Sequence, residues 1–159
     1  MELDFGGIVK EYAADRAVSL CWEAGIQHGF VNLGGDIKII GPRPEQQPWC
    51  IGIRHPHFPN TTLKNILLTS GALASSGDYE RCIRINNIRY GHVLNPHTGW
   101  PVQHLSAVSV VAEFCVLAGS AATIAMLKAD AGPQWLHELG LAHLWVDAQG
   151  QQGGDLLSA

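Results

Sequence analysis

Charge is scarce in this sequence and nowhere concentrated. Asp, Glu, Lys and Arg make up 15% of the 159 residues, the formal net charge is −4, and no basic run exceeds two residues. A general nucleic-acid binder, whose affinity comes from neutralising many phosphates, is excluded; a site for a single phosphorylated ligand, which needs only local donors, is not. Cysteine pairs are missing as well. Cys21, Cys50, Cys82 and Cys115 are widely spaced with no C-x-x-C among them, which removes zinc-ribbon and thioredoxin-like readings. No apolar run reaches membrane-spanning length and no signal-peptide pattern precedes residue 10, so the chain reads as soluble, without a membrane span. Neither G-x-x-x-x-G-K-[ST] nor a spaced G-x-G-x-x-G occurs, and neither phosphate-binding fingerprint applies.

What the chain does have is a 47% hydrophobic share, enough for one domain with a real core. Residues 1–152 read as that domain, and 153–159 as a flexible tail. Ala13, Ala17, Leu20, Cys21 and Ala24 recur at helical spacing. Strands are expected at 30–33, 37–40, 49–53, 63–68, 105–112 and 144–147. A hairpin is expected around Asn86-Asn87, with strands at 81–85 and 88–94. Small residues follow the strand at 63–68 through Gly77. Phe114 to Leu127 reads as a buried helix and Trp135 to Leu139 as a shorter one. Irregular alternation of helices with hairpins points to an α+β fold with a mixed or antiparallel sheet, rather than a doubly wound parallel one.

Several polar, glycine-rich segments interrupt this pattern. The elbow Asp4-Phe5-Gly6-Gly7-Ile8-Val9-Lys10 runs into the first helix, whose unpaired N–H groups and Lys10 could cradle an anion; equally, it is a turn that needs glycine. In Asn32-Leu33-Gly34-Gly35-Asp36 the glycines would let a ligand lie against the backbone and Asp36 could accept a hydrogen bond. The plainer reading is a hairpin with Asp36 solvated. Ser76 and Asp78 have the chemistry of helix caps. His92 sits at a strand end beside the Asn95-Pro96 turn, where it could act as a general base or be structural, as most of the eight histidines must be. His55 and His57 flank Pro56, with no third ligand at a known spacing, and read as a surface loop. Thr123, inside an apolar helix, either bonds back to a carbonyl or offers its oxygen to a hard cation.

Taken in order, these segments resemble the FAD:protein FMN transferase (ApbE) family. The matching stretches are Asp4 to Lys10 with Tyr12-Ala13-Ala14-Asp15, Asn32 to Ile37, Ser76 to Arg81, and His92-Val93-Leu94-Asn95-Pro96-His97-Thr98-Gly99-Trp100-Pro101. The resemblance covers nearly the whole chain. It implies Mg²⁺-dependent transfer of FMN from FAD to a threonine of an acceptor flavoprotein, with release of AMP; some relatives hydrolyse FAD instead, and a flavin-binding module without catalysis is a further alternative. It implies Asp4, Lys10, Gly34, Gly35 and Asp36 at FAD, His92 as the base, and the Gly7 carbonyl with Thr123 at the metal. Family members are often exported lipoproteins, which leaves the compartment unknown. Two departures stand out. Gly119 occupies the place of a metal-binding aspartate in the family's late-helix pattern, so Gly119→Asp is expected to raise Mg²⁺ affinity. And only Met1-Glu2-Leu3 precede a motif that family members carry after a substantial N-terminal part, so the chain reads as the family's C-terminal portion.

Overall fold

The structure, a computed structural model, describes residues 5–58, 60–78, 82–86 and 88–158. Asp4 lies outside the described residues. A turn at Phe5–Ile8 leads into helix α1 (Val9–Glu23), followed by strands β1 (Gly29–Leu33) and β2 (Asp36–Gly41). Then come β3 (Trp49–Arg54), β4 (Thr62–Leu68), β5 (Ala72–Gly77), β6 (Cys82–Ile85), β7 (Ile88–Gly91) and β8 (Leu105–Ala112). Helices α2 (Cys115–Leu127) and α3 (Gly132–Glu138) precede β9 (His143–Asp147) and β10 (Gln152–Gly153).

Six strands form one sheet in the order β1-β2-β5-β8-β9-β10, and every neighbouring pair is antiparallel. The β3–β4 and β6–β7 hairpins are separate two-stranded pieces inserted between sheet strands. The α+β architecture expected from the sequence is therefore the one observed, with its sheet antiparallel throughout.

Strand alternation sorts side chains between two cores. Ala72, Ala74, Val108 and Val110 face the helices, where they meet Ala14 of α1 and Ala118, Ala121, Ala122, Ala125 and Met126 of α2. On the opposite face Ile37, Ile39, Leu73, Leu144 and Val146 pack against Ile51, Ile53 and Ile66 of the β3–β4 hairpin. Because successive strand residues point to opposite faces, Asp36 and Lys38, which alternate with Ile37 and Ile39, are turned toward the helices. Polar groups are thus placed inside the helix–sheet layer.

Three expectations fail. Residues 72–77 form β5, a strand inside the main sheet, so Ser76 is a strand residue rather than a helix cap. Its sequence, ALASSG, is small because α2 packs directly on it, and small side chains carry no strand propensity. Helix α1 is rotated from its expected face: Glu11, Ala14 and Val18 are buried while Leu20 is half exposed. Residues expected to be a flexible tail are packed: Gly153 pairs with Trp145 of β9, and Leu156 in the following 3-10 turn is buried in the second core. An apolar Leu156-Leu157 pair over an open hydrophobic face is the reason, since burying it offsets the cost of ordering the chain.

Candidate functional site

The first group of site residues gathers where α1 begins, over the β1–β2 turn. Gly34 and Gly35 make that turn with φ of +63° and +100°, a conformation that glycine adopts without a Cβ penalty. The Gly35 N–H donates to Asn32 Oδ1 at 2.9 Å. Lys10 lies across the turn, its Cδ 3.9 Å from where a Gly34 Cβ would stand. Its ammonium meets Asp36 Oδ2 at 2.7 Å. Asp36 is buried rather than solvated, and its Oδ1 accepts the Ser75 N–H at 3.2 Å. The glycine hairpin of the plainer sequence reading is real, but the aspartate at its end is not in water. Burial pulls the Lys10 pKa down, and the bond to Asp36 and its charge outweigh that pull, so the ammonium is held above its ordinary value. A cleft of about 180 Å³ opens beside this turn, bounded by Asn32, Gly34, Gly35, Asp36, Gly52 and Ser75. A larger cleft of about 570 Å³, among Gln103, Asp130, Trp145 and Asp147, shares none of the expected site residues.

The second group lies on α2, whose position is fixed from two sides. Asp15 of α1 accepts the Cys115 and Val116 N–H groups at 2.8 and 2.9 Å, capping α2 from another helix. Lys38 bonds the Glu113 carbonyl and lies over the Phe114 ring. Two turns further along, Thr123 Oγ1 shares a 2.7 Å hydrogen bond with Ser76 Oγ of β5. The default reading, a threonine bonded back to its own helix, is replaced by a bond across to the sheet. Gly119, one turn before Thr123, is buried against Glu11: a Cβ there would stand 2.5 Å from Glu11 Cγ and 3.0 Å from its Oε1. Glu11 is 8% exposed, and its Oε2 is sealed from solvent without a hydrogen-bond partner. Burial, reinforced by Asp36, raises the Glu11 pKa.

Asp15 and Glu11 were invisible as site residues in the sequence. Asp15 looks like a polar-face residue of its helix, and Glu11 falls in the unmatched gap of a motif. The signal available for Glu11 was its place one helical turn before Ala14, on a face that closes the core.

His92 follows β7 directly and is exposed. The strand before it is anchored by Arg89, whose guanidinium meets Asp78 at 2.8 Å and reaches Ser106 Oγ at 3.4 Å. Gly91 lets β7 run against Asp78, for a Cβ there would stand 2.6 Å from the Asp78 Cβ. After His92, Val93 accepts the Val102 N–H at 3.0 Å, and Asn95 exchanges bonds with Trp100 and Gly99. His92 is therefore held at both ends, although no hydrogen bond or ion pair joins it to Lys10, Asp36 or Thr123. Gly7 is exposed in the turn before α1. His55 binds the N–H groups of His57 and Phe58 through Nδ1, a loop-closing role consistent with the surface-loop reading.

The ApbE family model matches residues 1–145. The chain belongs to the ApbE family. Among curated relatives, a FAD:protein FMN transferase of Rhodobacter capsulatus is 34% identical over 124 residues, covering 77% of this chain and 23% of that protein. One from Klebsiella pneumoniae is 28% identical over 152 residues, covering 94% and 43%. The ApbE protein of Thermotoga maritima has a solved structure that matches with a TM-score of 0.88 at 36% identity, over 96% of this chain and 51% of that one. The flavinyl transferase ApbE of Pseudomonas stutzeri, in its apo form, matches with a TM-score of 0.78 at 28% identity, over 95% and 48%. The chain thus spans less than half the length of these curated relatives and about half of the solved structures. Among the described residues no helix is long and apolar enough to cross a membrane.

Proposed function

We propose that this ApbE-family chain takes part in transfer of FMN from FAD to a threonine hydroxyl of an acceptor flavoprotein, with AMP as leaving group and Mg²⁺ as cofactor. The observation that carries the reading is the convergence of Lys10, the Gly34-Gly35 turn and Asp36 at one edge of the helix–sheet layer, with the ammonium of Lys10 locked to Asp36. Lys10 supplies positive charge for the pyrophosphate, and the Cβ-free turn lets the ligand approach the backbone. Asp36 offers a carboxylate oxygen to a ribityl or ribose hydroxyl. Asp4, outside the described residues, would join them at FAD.

The donors near α2 suit a hard cation. They are oxygen: the Thr123 hydroxyl and a sealed carboxylate oxygen lacking a hydrogen bond, to which the family resemblance would add the Gly7 carbonyl. No group of three His, Cys, Asp or Glu side chains clusters for a metal among the described residues, so hydroxyl and carbonyl oxygens have to complete the set. When bound, Mg²⁺ would neutralise charge on the phosphoryl oxygens. His92 takes the proton of the acceptor threonine as its oxygen attacks the FMN-side phosphorus. The P–O bond to AMP breaks as the new one forms. Such a transfer needs alignment and charge neutralisation more than covalent help from the protein, and the doubly anchored segment around His92 supplies alignment.

The test compares wild type with His92→Ala. FAD binding, followed by flavin fluorescence, is expected to be unchanged, while FMN transfer to an acceptor protein, followed by intact mass, is abolished. Equal transfer by the two proteins would remove His92 from the role of base.

A further inference from the structure

We propose that Glu11 supplies the carboxylate of the divalent-cation site, reaching from α1 into the space that Gly119 leaves open on α2. This rests on the metal-dependent reading of the site, and deepens it by naming a ligand on a different helix from the one where sequence comparison would seek it.

Three observations meet at this point. The first is volume. The Glu11 carboxyl carbon lies 3.1 Å from where a side chain at position 119 would begin, so the carboxylate fills the room that an aspartate at 119 would take. The second is placement. Gly119 and Thr123 are four residues apart on α2 and share a helix face; the Thr123 hydroxyl bonds Ser76 of β5. The third is the unmet oxygen. Glu11 is more than nine-tenths buried, yet its Oε2 has no hydrogen-bond donor. The nearby cation, Lys10, is already engaged with Asp36. A buried carboxylate without a donor is costly to keep. A divalent cation removes that cost and takes oxygen ligands by preference.

Asp36 is the second negative charge bearing on this space. The charge of Lys10 bears on Glu11 as well, but it does not outweigh burial and Asp36, and it places no donor on Oε2. A shared proton between Glu11 and Asp36 would also relieve the pair, and the experiment separates the two.

The geometry also reverses the expectation for Gly119→Asp. With Glu11 in place, the added side chain collides with Glu11 and brings a third carboxylate into a closed space. The single substitution is expected to lower the melting temperature and to leave cation affinity no higher. Moving the carboxylate back, in the double variant Glu11→Ala with Gly119→Asp, is expected to keep binding.

Mn²⁺ titration of the full chain, followed by loss of the free-ion EPR signal, reads binding without any turnover. Wild type is expected to bind. Glu11→Gln is expected to bind at least ~10-fold more weakly while melting no lower than wild type, because it removes an unpaired buried charge. Wild-type affinity in Glu11→Gln would overturn the assignment of Glu11 and leave the metal-dependent reading standing. Absence of Mn²⁺ binding in wild type, with and without FAD, would overturn the assignment and the metal reading together.

Discussion

Asp15 spends both carboxylate oxygens on the first N–H groups of α2, where the helix dipole also favours negative charge. Charge-assisted bonds of this kind contribute more than neutral ones. Asp15→Ala is therefore expected to cost about 2 kcal/mol, read as a lower urea midpoint with unchanged slope, and to loosen the helix that carries Gly119 and Thr123. Cys115, next to it, is buried and pushed up to about 12, by burial first and then by the surrounding carboxylates. Its thiolate fraction at pH 8 is then roughly one in ten thousand, and thiolate is the reactive form. Mass-resolved labelling with iodoacetamide at pH 8 should modify exposed Cys50 and leave Cys115 untouched in the folded protein; equal labelling of the two would contradict this environment. The place of Cys115 in a buried helix was legible in the sequence. Glu11 and Asp15 were not, because each acts across a contact between helices about a hundred residues apart in the chain, and no local periodicity encodes that.

The β6–β7 hairpin stands outside the main sheet, and the Arg89–Asp78 pair ties it down. Asp78 is buried, and burial raises its pKa more than the charge and bonds of Arg89 lower it. A carboxyl raised in the folded state holds its proton to higher pH than in the unfolded chain. Its contribution to stability is therefore full below the ordinary carboxylate value and is lost as pH rises through the folded value. Asp78→Asn, which cannot ionise, should flatten the fall in melting temperature above about pH 4, and an unchanged pH profile would argue against a raised Asp78. Removing the partner is harsher. Arg89→Ala strands a buried carboxylate and is expected to cost about 3 kcal/mol, with reduced flavin transfer through displacement of His92. At this scale the strands rich in branched residues, such as β8 with its Val108, Val110 and Val111, could be read from the sequence, as could the Asn86 turn. Strand β5 could not. Its small side chains answer to the helix pressed on it, a tertiary demand that overrides strand propensity.

Across the whole molecule, the motifs that matched the family in order converge only in part. Lys10, Gly34, Gly35 and Asp36 meet at one edge of the helix–sheet layer, Thr123 stands on α2 beside Ser76, and His92 is held separately at the end of β7. The family was readable because the glycines, the lysine and the histidine segment keep their order along the chain. The carboxylate we propose for the cation, Glu11, was not, because it sits on α1 rather than α2. Large apolar side chains are exposed, among them Phe5, Tyr12, Trp22 and Trp100. The chain covers under half of its curated relatives, so transfer by these residues alone is the claim that most needs a direct test. That test is a product assay: the chain, FAD and Mg²⁺ with a threonine-bearing acceptor flavoprotein, resolved by chromatography and mass spectrometry. AMP together with an acceptor heavier by one FMN residue, FMN less water, is the predicted result. Intact FAD and unmodified acceptor after long incubation with folded protein would contradict it, as would FMN and AMP released free in solution with the acceptor unchanged.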